Sequence, residues 1–74
     1  MTTQTTAYEA LRTAQCYETR GELASSAKLC ADDAAACFNA GDYAGCVRRA
    51  LTSLRYSVGV FHTAYNNVAS QAGL

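Results

Sequence analysis

From Val47 to Ala72 the apolar positions Val47, Leu51, Leu54, Val58, Phe61, Tyr65, Val68 and Ala72 recur at alternating steps of four and three. That spacing keeps one stripe of a helix apolar and marks a packing seam. A shorter seam of the same period, Leu23, Ala27, Cys30, Ala34 and Cys37, precedes it. Upstream, Thr6-Ala-Tyr-Glu9 has the form of a capping box, in which the Thr hydroxyl takes a free amide and the Glu side chain reaches back. The pattern predicts a helix over 7–20 closed by Gly21, a second from Glu22 closed by Gly41, and a third with Asp42 as N-cap. Abundant Ala and the absence of Pro agree with this.

The two turns look alike. RGELAS at 20–25 and AGDYAG at 40–45 align at an offset of 20 residues, as Gly, acid, large apolar, Ala, small. Each implies a tight αα-hairpin and hence antiparallel neighbours. The last helix has two solutions. Run straight to Ala72 it is about 45 Å long, and the overhang bearing Phe61, Tyr65 and Val68 needs cover from a second chain. Broken near Gly59, in SVGVF, it folds back as a fourth helix. An interior Gly costs only about 1 kcal/mol and no N-cap residue follows Gly59, which favours the continuous helix and, with it, a homodimer through the 47–72 seam. The expected fold is all-α: a small up-down bundle of three helices, or four if broken near Gly59. It forms a single domain over 1–74, with 1–5 as a flexible N-terminus.

The 74 residues carry six basic and six acidic side chains, so no net field favours nucleic acid or a membrane surface. The start, MTTQTTAYEALRTAQ, lacks the basic and apolar regions of a signal peptide, and no apolar run approaches a membrane span. A cytoplasmic location is expected. One Lys against five Arg and no Ile hint at a GC-rich gene and a bacterial or phage source.

Cysteines at 16, 30, 37 and 46 fit no zinc pattern. Cys30 and Cys37 lie on the second seam and Cys46 flanks the third, as suits reduced, buried thiols. A Cys37–Cys46 bridge across the Gly41 turn and a metal site remain the alternatives, and no cofactor or metal is expected. Asp32 and Asp33 are adjacent and point about 100° apart on a helix, which suits a solvated face better than a catalytic pair.

Two stretches resemble known families. AGDYAGCVRRAL is similar to the tetratricopeptide hairpin, with Gly41, Asp42 and Tyr43 in the turn and Cys46 and Ala50 at close-packing positions. The chain lacks that family's Trp, its Pro after the second helix and its 34-residue period, so the resemblance implies a helical hairpin of the kind used for docking partners. RYSVGVFHTA at 55–64 resembles the Arg-x(4–6)-His motif of HEPN ribonucleases, on Arg55 and His62. That resemblance implies a dimeric enzyme in which His62 acts as acid or base on an RNA phosphodiester and Arg55 stabilises phosphate charge.

Beside the seam of the third helix runs a polar stripe of Arg48, Thr52, Arg55, Gly59, His62 and Asn66, flanked by Arg49 and Tyr56. Arg and Tyr are favoured interface anchors, and five tyrosines without a Trp also suggest contact surfaces. The expected function is a small non-catalytic module that binds another protein, an adaptor or inhibitor covering a site on a larger partner. Its contacts are expected at Arg48, Arg49, Arg55, Tyr56, His62 and Asn66. The HEPN-like ribonuclease is the alternative.

Overall fold

The computed structural model describes residues 2–73, which form four helices: α1 Gln4–Tyr17, α2 Ala24–Asn39, α3 Tyr43–Ser57 and α4 Thr63–Gln71. Helix α1 starts earlier than the capping box suggested. Thr3, in extended backbone, accepts the Thr6 amide on its hydroxyl at 3.1 Å, so Thr6 and Glu9 lie inside the helix and residues 4–5 are helical. The run TTQTT offers several hydroxyls, of which Thr3 supplies the cap, and Ala7, Ala10, Leu11 and Ala14 face inward. The helix ends at Tyr17, and residues 18–23 form the connection to α2, which begins at Ala24 and not at Glu22.

The second turn follows the sequence closely. Gly41 takes φ +81°, the Asp42 amide bonds back to the Cys37 carbonyl, and the Gly41 amide to that of Phe38. This is the Schellman closure that a left-handed Gly permits. The Asp42 carboxylate then accepts the Gly45 amide at 3.0 Å as the N-cap of α3.

The third helix is broken near Gly59, so the four-helix form is the one adopted. The Leu54 carbonyl accepts both the Val58 and Gly59 amides, at 2.8 and 3.0 Å, and Gly59 turns the chain with φ +90°. A continuous helix to Ala72, at about 45 Å, would overshoot a molecule whose longest extent is 31 Å. Folding back instead lets Ala64 and Val68 join the core on the same chain. The 47–72 seam expected to pair two copies is therefore not formed as one surface. Val47, Leu51, Leu54 and Val68 are buried internally, and Phe61 lies outside.

The core is built on small residues: Ala7, Ala10 and Ala14 of α1, Ala31 and Ala34 of α2, and Ala50 of α3, around Leu11, Val47, Leu51, Leu54 and Val68, with Ala27 of α2 also fully buried. Two α3 side chains reach neighbouring helix backbones. Ser53 donates to the Ala27 carbonyl at 2.7 Å, and the Cys46 thiol to that of Ala7 at 3.5 Å. The first pairs the late part of α3 with the early part of α2, as antiparallel helices require, and the second joins the starts of α1 and α3, which run parallel. Helix α4 packs on α1 and α3 and does not touch α2. No described helix is long and apolar enough to cross a membrane.

Candidate functional site

Arg48, Arg49, Arg55 and Tyr56 all lie on the exposed face of α3. Their offsets of seven, 48 to 55 and 49 to 56, place them in two adjacent rows. The helix has three arginines between Tyr43 and Ser57 and no acidic residue. Among the described residues the ion pairs all involve Lys28, with Glu18 at 4.0 Å and Asp32 at 3.6 Å. Arg12 lies over the Tyr8 ring at 6.0 Å and Arg20 over Tyr17 at 4.7 Å. Within the described residues this leaves Arg48, Arg49 and Arg55 as the arginines with neither an acid nor a ring beside them.

His62 and Asn66 do not continue that row, because the helix that would have aligned them ends at Ser57. His62 is the N-cap of α4: its Nδ1 accepts the Ala64 amide at 3.0 Å, and its ring meets Tyr17 edge-on with centroids 5.3 Å apart. The Asn66 amide group donates to the carbonyls of Val60 at 3.2 Å and His62 at 2.9 Å, tying down the 58–62 corner. Arg55 and His62 thus sit on separate elements, not seven residues apart on one helix face, and His62 Nδ1 is occupied by the cap.

The corner brings out a residue that periodicity had placed in the seam. Phe61 is 96% exposed, the largest exposure of any big apolar side chain among the described residues, and Tyr56 in the last turn of α3 is 41% exposed. Every other ring is engaged. Phe38 contacts Tyr8 and Tyr43, Tyr17 contacts His62, and Tyr65 packs on the core. The signal that could have revealed Phe61 was the Gly two positions before it.

Between α1 and α4 runs an open groove of about 670 Å³, walled by Tyr8, Arg12, Cys16 and Tyr17 on one side and by His62, Asn67 and Gln71 on the other. All four cysteines are free thiols. Burial pushes the Cys46 thiol up to about 11, with Cys37 and Asp42 adding to the shift. Burial also raises Cys30, helped by Asp33 and opposed by Arg49. Neither thiol has the electropositive, exposed setting of a reactive cysteine. Among the described residues no three His, Cys, Asp or Glu side chains gather as metal ligands, and every buried side-chain N or O has a hydrogen-bond partner. No family model, curated protein or solved structure matches the chain.

Proposed function

We propose that this protein acts by binding another protein, without catalysis, and covers an acidic site on a larger partner with the outer face of α3 and the corner that follows it. The observation that carries this is the exposure of Arg48, Arg49, Arg55 and Tyr56 on α3, the arginines free of ion pairs among the described residues, together with the exposed Phe61 in the connection that follows. Arg and aromatic residues supply most interface hot spots, and unpaired cations steer an acidic partner and fix its register. The overall charge balance favours a protein over the uniform phosphate field of a nucleic acid.

Tagged protein from the source cells, compared with Arg48→Glu/Arg55→Glu and with Phe61→Ala, tests the proposal. A stoichiometric partner retained by the parent and lost by both variants, then rebound from pure components, is the expected result. A partner held equally by all three baits would overturn it. So would cleavage of RNA by the purified parent that disappears in Arg55→Ala/His62→Ala.

A further inference from the structure

The bundle has two ends, and most of its large exposed apolar side chains belong to one of them. The end of α1 meets the start of α4 through Tyr17 and His62, and late α3 meets early α2 through Ser53 and Ala27. The 18–23 and 58–62 connections therefore share an end. Gly21 holds the first against the root of the second: a Cβ on it would lie 2.7 Å from the Ser57 carbonyl oxygen and 3.7 Å from that of Tyr56. Five large apolar side chains are exposed among the described residues, and three of them, Leu23, Tyr56 and Phe61, belong here.

Charge at this end complements itself. Glu22, next to Leu23, and Arg55, next to Tyr56, are both exposed. Neither forms an ion pair among the described residues, while Glu18 is taken by Lys28 and Arg20 lies over the Tyr17 ring. An interface between two identical copies must match itself, because a twofold axis sets one surface against the same surface. Apolar side chains accompanied by one free acid and one free base meet that demand, and a chain without net charge does not repel its own kind. We infer that a second copy of this chain docks end to end on the first, with Leu23, Tyr56 and Phe61 meeting across a twofold axis and Glu22 of each copy facing Arg55 of the other.

This is not pairing along the 47–72 seam, whose Val47, Leu51, Leu54 and Val68 are spent on the chain's own core. Two short connections offer fewer residues than the roughly 20–30 a side of a standard interface, so the pair is weak and concentration dependent. Phe61 and Arg55 also belong to the face proposed for an acidic partner, and the two occupancies exclude each other. The pairing is read on the pure protein and stands or falls without that partner.

Sedimentation equilibrium of the chain from about 10 μM to about 1 mM tests it, in reductant so that the exposed Cys16 cannot link copies. The mass should climb from 7.8 kDa toward twice that value and no further. Phe61→Ala should weaken the dimer at least about 30-fold, since the ring is lost from both sides of the axis. Glu22→Arg and Arg55→Glu should each weaken it about tenfold, and the double variant Glu22→Arg/Arg55→Glu should recover most of that loss. A parent that stays monomeric up to the highest concentration would overturn the inference, as would growth past the dimer. It fails equally if Phe61→Ala leaves the dimer intact, or if the double reversal pairs no better than the single ones.

Discussion

Substituting Gly21 by Ala separates two demands that the fold makes at one residue. Gly21 has φ +83°, and a Cβ there would lie 2.7 Å from the backbone oxygen of Ser57, at the end of α3. The left-handed backbone costs an L-residue about 1–2 kcal/mol. The Ala side chain returns about 0.4–1 kcal/mol by restricting the unfolded chain, which leaves a net loss of about 1 kcal/mol. Gly41 at φ +81° and Gly59 at φ +90° impose the same backbone demand with no atom within 4 Å of the new Cβ, so Gly41→Ala and Gly59→Ala calibrate that first part. The second part is particular to position 21. The obstructing atom is a carbonyl oxygen of a packed helix, and relief requires the 18–23 connection to lift off α3, an overpacking cost of about 1–3 kcal/mol. Gly21→Ala should therefore lose about 2–4 kcal/mol, from a domain whose size allows roughly 4–11 kcal/mol in total. Urea unfolding at 25 °C, followed by far-UV circular dichroism, gives the comparison through the midpoints. A shift for Gly21→Ala no larger than for Gly41→Ala would refute the close approach of the connection to Ser57.

Three further outcomes follow from the same packing. Ser53→Ala, which removes the 2.7 Å bond to the Ala27 carbonyl from a fully buried site, should cost about 1 kcal/mol in urea. Ser53→Val should cost more, because the added methyls have no room between closely approaching helices. The buried Cys46 thiol, raised from 9.0 to about 11, contributes stability that is fully present below pH 9 and is lost as pH rises toward 11, since the unfolded chain ionises first; the loss is about 2 kcal/mol, and Cys46→Ala should flatten that alkaline slope. Phe61→Ala should leave the urea midpoint within about 0.5 kcal/mol of the parent, as suits an exposed side chain, while abolishing partner capture.

Much of the bundle was legible where a residue has only one structural use. Gly41 ends α2 because other residues resist positive φ, and Asp42 caps α3 because its carboxylate reaches a free amide, whereas Gly21 takes positive φ inside the 18–23 connection, four residues after α1 ends at Tyr17. Other features depend on information that spacing does not carry. The inward stripe of α2 is Ala27, Ala31 and Ala34, while Leu23 and Leu29 are more than half exposed, so side-chain size pointed away from the true face. The break at Gly59 was one of two readings and the less favoured, because the helix after it is capped by a histidine, a residue outside the usual N-cap set. That miss carried His62 and Asn66 into the surface stripe and Phe61 into the seam, whereas Arg48, Arg49, Arg55 and Tyr56 precede the break and were placed correctly on the exposed face.

The small-residue core also explains where the aromatic side chains go. Helices that meet on alanine approach too closely to admit a ring between them, and none of the tyrosines or phenylalanines is fully buried. Rings are therefore held at the perimeter, where each needs a partner of its own. Phe38 links Tyr8 to Tyr43, Tyr17 takes His62, and Tyr65 leans on the core. Tyr56 and Phe61 stand without one, and both belong to the α3–α4 corner. A single exposed apolar residue is ordinary on a protein surface. Two unpartnered rings in the same stretch of chain as the three arginines that neither an acid nor a ring accompanies among the described residues are what the proposed interface draws on, as an apolar anchor and a complementary field. Anchor and field are physically separable. Phe61→Ala should act on how long a complex lasts, and reversing Arg48 and Arg55 on how fast and how salt-sensitively it forms.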